Sequence, residues 1–261
     1  MNIHVASART THAVKAILGV RVASVGWNEA IALLLRLLQA RRFTKVGFLN
    51  AHCANLAASD PAFAAALGDF LVLPDGIGVD LGAQVLTGAP FPANLNGTDF
   101  VPALLLASPR PLTVALLGAT RANVEGAAGT LERLVPRHRF AGNDDGYFSP
   151  REEPQGVASV AALRPDILLV AMGVPRQELW IARNIDRRHC TMPIAVGALF
   201  DFLSGAVPRA PLWMRRLRLE WLVRLAVAPG RMWGRYILGN PLFMWRVLRR
   251  KLSGMPVGDG W

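Results

Sequence analysis

A single carboxylate, Asp75, stands where it can act as a general base. It lies between Pro74 and Gly76, after the short apolar run 70–73 and ahead of the apolar stretch 79–86. A carboxylate at the end of a buried strand can take the proton from a hydroxyl group as that group attacks a bound substrate. The alternative is a helix N-cap, a role that Asp often fills. The two roles are compatible only if the side chain also faces a cleft.

A second group of polar residues follows the apolar run 166–171. The run is rich in Ile, Leu and Val, and chain breakers flank it at Pro165 and Gly173. This pattern is typical of a strand that is buried on both faces. Gln177 and Glu178 come soon after it, at the carboxyl end of the strand, where open α/β sheets bind ligands. The alternative is an ordinary strand-to-helix connection with solvated polar side chains.

Asn50, His52 and Asn55 follow a third predicted strand at 46–49, so three polar side chains lead from a strand end into a helix. For His52 the alternative is a hydrogen-bonded, partly buried structural histidine. Other candidates lie in polar loops and glycine turns: Asn96 and Asp99 in the loop 89–99, Gly118 after the strand 112–117, Asp145 in the loop 142–148, and Gly197 and Asp201 after the strand 192–196.

Missing motifs argue against several classes of site. The chain has no Gly-x-Gly-x-x-Gly, no Gly-x-x-x-x-Gly-Lys-Ser/Thr and no Gly-x-Ser-x-Gly, which disfavours dinucleotide binding, a P-loop and a serine hydrolase. It has no Asp-x-Asp, and its two cysteines, Cys53 and Cys190, lack metal-site spacing, so no metal or other cofactor is expected. The remaining groups suit transfer to a hydroxyl acceptor, in which a carboxylate takes the proton and arginines neutralise a diphosphate leaving group.

The elements that must position these residues alternate along the chain. Between residues 45 and 205, strand and helix patterns follow one another. This alternation predicts an α/β fold in which helices cover both faces of a parallel sheet. Because the carboxyl ends of parallel strands meet at one edge of a sheet, the candidate residues are expected to converge there. We therefore predict a catalytic domain over residues 1–205.

The C-terminal segment, residues 206–261, differs from this body in charge. The chain of 261 residues has a formal net charge of +11, and residues 205–261 hold 11 Lys/Arg and only 2 Asp/Glu, so they carry +9 of it. Arginine and tryptophan recur there at helical spacing, interrupted by breakers at 208–211 and 229–230. This pattern favours a helical appendage that lies on a membrane surface. The alternatives are a nucleic-acid partner and a helical cap on the sheet with a solvated basic face.

The sequence predicts no membrane-spanning helix and no signal peptide. Hydrophobic residues make up 52% of the chain, but no uncharged apolar run reaches about 18 residues, and residues 1–11 lack the apolar core of a signal peptide. With only two cysteines, the chain is expected in the cytoplasm, peripheral on the inner face of the cytoplasmic membrane. Deletion of residues 208–261 is then expected to abolish lipid association.

Taken in order, these residues resemble the WecB/TagA/CpsF family of bacterial glycosyltransferases. The resemblance covers roughly residues 17–248 and rests on an ordered set of short motifs, each of which is weak by itself. The motifs are Asn50-Ala51-His52 with Asn55, Pro74-Asp75-Gly76-Ile77-Gly78, Asn96-Gly97-Thr98-Asp99, Gly142 with Asp145-Gly146-Tyr147-Phe148, Gly173-Val174-Pro175-Arg176-Gln177-Glu178, Gly197-Ala198 with Phe200-Asp201 and Gly205, and Arg209-Ala210-Pro211 with Glu220-Trp221 and Arg224.

The resemblance implies a Rossmann-like α/β domain with a C-terminal basic helical appendage. It also implies transfer of a sugar, with inversion and without a metal, from a UDP-sugar donor to a polyprenyl-diphosphate-linked sugar acceptor. Asp75 matches the proposed general base, and Gln177 matches a residue at the sugar site. The other expected roles are donor and substrate binding by Asn50, His52, Asn55, Asn96, Asp99 and Glu178, nucleotide binding by Gly118, Asp145, Gly197 and Asp201, and contact with the diphosphate or lipid by Arg209, Arg215, Arg216, Arg224 and Arg231.

One departure from the family pattern bears on the donor. Members that transfer N-acetylmannosamine tend to have Thr-x-Asn where this chain has Asn50-Ala51-His52, and residues 91–99 look more like the β-1,4-glucosyltransferase of xanthan-type exopolysaccharide pathways. This favours glucose as the transferred sugar. The alternatives are N-acetylmannosamine or its uronate, and a non-catalytic module that binds a nucleotide and the membrane. No nucleic-acid partner is expected, and a homo-oligomer is compatible with the sequence, which does not fix the oligomeric state.

Overall fold

A six-stranded parallel sheet forms the centre of the protein, in the strand order β4-β3-β8-β7-β5-β6. The computed structural model describes residues 12–144, 146, 153–211, 214, 220–227, 230 and 233–253. The strands are β1 (Val14–Ile17) and β2 (Val20–Ala23), which form a separate antiparallel hairpin, and β3 (Lys45–Leu49), β4 (Phe70–Pro74), β5 (Thr113–Gly118), β6 (Arg139–Asp144), β7 (Ile167–Ala171) and β8 (Met192–Ala195). The parallel sheet expected from the alternating pattern is confirmed.

Helices cover both faces of this sheet, as predicted. One face carries α1 (Trp27–Gln39), α5 (Gly97–Ala107), α6 (Arg121–Leu134) and α9 (Leu199–Leu203), and the other carries α2 (Ala51–Ala57), α3 (Pro61–Gly68), α4 (Ile77–Thr87), α7 (Glu153–Leu163) and α8 (Arg176–Asn184). Successive side chains of a strand point to opposite faces. Val114 and Leu116 of β5 accordingly join one apolar core, while Ala115 and Leu117 join the other. This is why the strands read as continuous apolar runs.

Backbone hydrogen bonds tie the ends of two neighbouring strands to the loop before α5. The Asp75 N–H donates to the carbonyl of Leu49 at 2.8 Å, and the Leu95 N–H donates to the carbonyl of Pro74 at 2.8 Å. These bonds hold the segments that follow β3 and β4 beside the polar loop that contains Asn96. Candidate residues that lie far apart in the sequence are thereby brought to one edge of the sheet.

The C-terminal segment contributes α10 (Glu220–Val227), a π-helical turn (Gly234–Leu238) and α11 (Gly239–Leu252). Phe243 and Val247 of α11 are fully buried and belong to the same core as α2 and α4. Gly82 of α4 permits this contact, because a Cβ atom there would lie 2.8 Å from Phe243 Cζ. The last helix is therefore part of the packed body, and deletion of residues 208–261 would also expose its core. Point substitutions are the cleaner test of this segment.

The buried contact of α11 predicts a large loss of stability on Phe243→Ala. The substitution removes a fully buried ring and leaves a cavity between α11 and α4, so we expect the free energy of unfolding to fall by about 3–5 kcal/mol. Trp245→Ala on the same helix is the matched control, because Trp245 is largely exposed. Urea unfolding followed by circular dichroism measures both, and equal effects of the two substitutions would contradict the placement of α11.

Candidate functional site

A cleft lies at the carboxyl ends of β3 and β4. Its volume is about 860 Å³ when the solvent-filled space at its entrance is included. The strand ends supply one wall and the loop before α5 supplies a second. The third wall comes from the C-terminal segment, through α10, the π-helical turn and the start of α11. Its lining residues are Asn50, Ala51, His52, Asp75, Gly76, Ile77, Gly78, Asn94, Asn96, Asp99, Trp221, Arg235, Tyr236 and Asn240. Five predicted site residues, Asn50, His52, Asp75, Asn96 and Asp99, are thus brought together.

Asp75 is half-buried in this lining and does not serve as the cap of the following helix. The N-cap of α4 is Gly76, which has a φ of 89° and provides no side-chain cap. A left-handed φ of this kind favours glycine. The Gly76 N–H donates to Asn94 Oδ1 at 2.7 Å, so the turn is fastened to the opposite wall. The turn thus presents the Asp75 carboxylate to the cleft.

Asn50 and His52 form the part of the wall that begins α2. Asn50 is the N-cap of this helix, and its Oδ1 accepts a hydrogen bond from the Cys53 N–H at 3.0 Å. His52, the second residue of α2, is half-buried and lines the cleft. Burial lowers the pKa of His52 below its usual 6.5, and the positive charge of Arg235 lowers it further. The imidazole is therefore neutral at pH 7 and can both donate and accept hydrogen bonds.

Arg235 is the functional candidate that sequence reasoning missed. It lies in the π-helical turn, lines the cleft, and acts electrostatically on both His52 and Glu178. π-Helical turns are frequent at functional sites. Tyr236 beside it packs on Trp221 of α10, with ring centroids 5.8 Å apart. The available signal was the run of arginines and aromatics in the basic segment, which did not single out one arginine.

Gln177 and Glu178 form a buried pair. Neither residue lines the cleft in the part of the chain that the structure describes. Gln177 Nε2 donates to Glu178 Oε1 at 2.7 Å, and Gln177 Oε1 accepts from the Gly197 N–H at 3.0 Å. Each of the two side chains is only 2% exposed. Burial raises the pKa of Glu178 to about 7, against the opposing effects of the Gln177 hydrogen bond and the Arg235 charge. Glu178 Oε2 has no hydrogen-bond partner among the described residues.

Asp99 and Arg209, which were predicted for different ligands, form an ion pair with each other. Arg209 Nη2 donates to Asp99 Oδ1 at 2.9 Å, and its guanidinium lies 5.4 Å from the ring centroid of Phe202. Asn96 caps α5 by accepting from the Asp99 N–H at 3.0 Å and also donates to Asp99 Oδ2 at 3.2 Å. This network fixes the start of the C-terminal segment to the α5 wall.

The other predicted residues lie outside the lining. Asn55 connects α2 to α11, because its Nδ2 donates to the Gly239 carbonyl at 2.7 Å and its carbonyl accepts from Arg246 Nη1 at 2.6 Å. Asp201 accepts from Asn123 Nδ2 at 2.7 Å and joins α9 to α6. Gly118 and Gly197 have positive φ at the ends of β5 and after β8. Asp145, Arg215, Arg216 and Arg231 are outside the described residues, as is the side chain of Arg224.

Within the parts of the chain that the structure describes, no three His, Cys, Asp or Glu side chains are grouped in a way that would hold a metal ion. In the same parts, no helix has the length and apolarity needed to cross a membrane. What the cleft does contain is two carboxylates, of which Asp99 is paired with Arg209, one guanidinium, a neutral imidazole and several amides. This set can accept a proton, neutralise a phosphate and hydrogen-bond uncharged hydroxyl groups.

The burial of Glu178 predicts a pH-dependent stability difference between the wild type and Glu178→Gln. Because the folded pKa rises from 4.5 to about 7, ionisation costs the native state about 3 kcal/mol once it is complete. Below pH 4.5 the carboxyl is protonated in both states and has no such cost. We therefore expect Glu178→Gln to gain stability relative to the wild type between pH 4.5 and 7 and to keep a constant advantage above pH 7. Denaturant unfolding at stepped pH measures this, and a difference independent of pH would refute the raised pKa.

Comparison with known proteins identifies the family. Residues 15–256 match the family model described as the glycosyl transferase WecG/TagA/CpsF family. An N-acetylglucosaminyldiphosphoundecaprenol N-acetyl-beta-D-mannosaminyltransferase of Bacillus subtilis (strain 168) is 34% identical over 181 residues, which is 69% of each chain. Proteins of the same name from Bacillus spizizenii (strain W23) and Staphylococcus aureus (strain NCTC 8325) are 33% identical over 75% of each chain and 31% identical over 69% of each chain.

These relatives confirm the family resemblance but not the finer likeness to a xanthan-type glucosyltransferase, because all three are named for transfer of N-acetylmannosamine. The match covers the body, the cleft and the C-terminal helix α11. The chain is therefore a glycosyltransferase that belongs to the WecG/TagA/CpsF family.

Proposed function

We propose that this protein transfers N-acetylmannosamine, with inversion and without a metal, from a UDP-sugar to N-acetylglucosamine carried on polyprenyl diphosphate. The observation that carries the proposal is that Asp75 and Arg235, a base and a cation, line one cleft at the carboxyl ends of two parallel strands. Support for the substrates comes from the relatives, which are named for this donor sugar and this acceptor.

Asp75 acts as the general base in a single displacement. It takes the proton from the acceptor hydroxyl as the hydroxyl oxygen bonds to the anomeric carbon of the donor. The bond between that carbon and the β-phosphate oxygen breaks at the same time, and UDP leaves with the electron pair. One displacement at this carbon inverts its configuration. The Arg235 guanidinium stabilises the negative charge that develops on the departing diphosphate.

The neutral polar groups of the cleft hold the sugars. His52 is uncharged at pH 7 because burial and Arg235 lower its pKa, so it hydrogen-bonds hydroxyl groups without placing a second cation beside Arg235. Asn94 and Asn96 face the same space from the α5 wall, while their oxygens accept backbone N–H groups. Gln177 lies outside this lining, where its Oε1 accepts from the N–H of Gly197 just after β8.

Glucose is a second candidate donor, and Asn50 and His52 favour it. Both side chains line the cleft in the place where Thr and Asn are typical of N-acetylmannosaminyl transfer. The imidazole of His52 is larger than an Asn side chain and leaves less room for an acetamido group. The two donors are best separated by supplying each one alone in the same assay.

The decisive assay measures UDP release with UDP-N-acetylmannosamine or UDP-glucose, an N-acetylglucosaminyl-diphosphate-lipid acceptor and EDTA. We expect turnover of UDP-N-acetylmannosamine in the wild type. Asp75→Asn should lower kcat by about 10²–10⁴-fold, because an amide cannot take the proton. Near-full activity of that variant would contradict the role of Asp75.

Asp69→Asn is the matched control, since Asp69 is an exposed carboxylate at the end of α3. It should retain wild-type kcat. Turnover of UDP-glucose alone would keep the chemistry and replace the donor. A module that only binds the nucleotide would release no UDP with either donor and would bind it equally well in Asp75→Asn.

The C-terminal segment is proposed to bind the inner surface of the cytoplasmic membrane. Trp233, Leu238 and Trp245 are more than half exposed, and Leu252 at the end of α11 is 86% exposed. Arg249 lies over the ring of Trp245 at 5.4 Å, and Arg250 and Lys251 follow in the last turn. Tryptophan at headgroup level beside cations that meet lipid phosphates is typical of an interfacial helix.

Substitution of both exposed tryptophans, Trp233→Ala with Trp245→Ala, should weaken binding to vesicles that contain anionic lipid by about tenfold, because apolar area no longer enters the interface. Binding of the wild type should also fall with added salt. Vesicle co-sedimentation measures both effects. Leu134→Gln, an exposed leucine at the end of α6 on the other face of the sheet, is the control, and an equal loss in that variant would oppose this assignment.

A further inference from the structure

The exposed side of α4 carries an apolar stripe that starts in the cleft. Ile77 and Leu81 are 39% and 49% exposed, and Val85, one turn further on, is half-buried. Residues four apart lie on one face of a helix, about 6 Å apart along its axis. The stripe therefore runs for two turns along the outside of the protein.

Packing on the inner side of α4, about 100–200° around the helix from the stripe, fixes this orientation. A Cβ atom at Gly78 would lie 3.2 Å from Ala51 Cβ, and one at Gly82 would lie 2.8 Å from Phe243 Cζ. Val79 and Ala83 are fully buried in the core on that side. Since the close glycine contacts hold α4 against α2 and α11, the helix cannot rotate to bury Leu81.

The stripe is continuous with the proposed catalytic groups. Ile77 lines the cleft and lies two residues after Asp75, and Arg235 lines the same cleft. At the other end of the stripe, Lys251 of α11 donates to the Val85 carbonyl, so α11 lies alongside it. An apolar surface thus leads out of a cleft that contains a cation and a base.

Resting on the proposed function, we propose that the prenyl chain of the acceptor leaves the cleft over Ile77 and lies along Leu81 and Val85 of α4. A lipid-linked diphosphate joins an anionic head to an apolar chain, so its site must place a cation next to an apolar surface. The cleft meets this requirement where Arg235 and Ile77 line one space. Burial of the chain on α4 removes the exposed leucine from water.

The test compares two acceptors with the same N-acetylglucosaminyl diphosphate head, one on undecaprenol and one on a short, water-soluble chain. For Leu81→Gln we expect the ratio of kcat/KM for the long chain to that for the short chain to fall about five- to tenfold. The control Leu134→Gln, equally exposed but remote from the cleft, should keep the wild-type ratio. An unchanged ratio in Leu81→Gln would overturn the proposal.

A second measurement decides the question without turnover. A prenyl diphosphate with a photoreactive group in its first isoprene unit should label the peptide 77–87 of the wild type, and labelling elsewhere would overturn the assignment. If neither acceptor is turned over but this peptide is labelled, the proposed function fails, while the stripe remains the binding surface of the prenyl chain. If Leu81→Gln weakens binding to acceptor-free vesicles as strongly as the tryptophan substitutions do, the stripe contacts the bilayer and does not bind the prenyl chain of the acceptor.

Discussion

The burial of Phe243 and Val247 against α2 and α4 decides where the basic C-terminal segment lies. This apolar contact anchors a segment that carries most of the net charge of the chain. Asn55 and Arg246 add hydrogen bonds beside this contact, with Asn55 accepting from Arg246 and donating to Gly239. Because α11 is fixed, the π-helical turn immediately before it is fixed too, and Arg235 is held over the strand ends.

Burial is the main cause of the shifted pKa values of His52 and Glu178, and the position of Arg235 adds a smaller effect to each. Its positive charge lowers the pKa of His52 in the same direction as burial does, and it opposes the effect of burial on Glu178. The proposed reaction brings two sugars and a diphosphate into the cleft, which requires a cation for the phosphates and neutral groups for the hydroxyls. A positive charge on His52 would compete with Arg235 for the diphosphate. Because His52 is neutral, Arg235 is the cation that the described lining residues supply.

The sequence predicted the sheet well because strand burial leaves a local signal. The apolar runs of β4 and β7 and the breakers beside them located both strands, and the strand ends in turn located Asp75 and Asn50. The parallel arrangement followed from alternation with helices. Whether Asp75 is the N-cap of α4 could not be decided from sequence, because it depends on the backbone dihedral angles at the turn, which give the N-cap position to Gly76.

Contacts between distant segments left no such signal. The sequence favours a membrane-surface appendage and leaves a helical cap on the sheet as an alternative, and α11 combines both features, with Phe243 and Val247 in the core and Trp245 and Leu242 outside. The partner of Arg209 is Asp99, 110 residues away, and a pattern of charges does not show which carboxylate an arginine will reach. Sequence spacing predicts which residues share a helix face, and only the packing of that helix decides which face meets the protein.

The division of α11 into two faces also connects the proposed membrane binding to the cleft. The buried face holds α4 in the orientation that exposes Ile77 and Leu81, while the outer face of the same helix presents Trp245 and Arg249. Because α4 and α11 are packed as one unit through Gly82 and Phe243, a bilayer that binds the outer face of α11 meets α4 at a fixed distance and angle. A lipid-linked acceptor would then reach Asp75 without leaving the membrane surface.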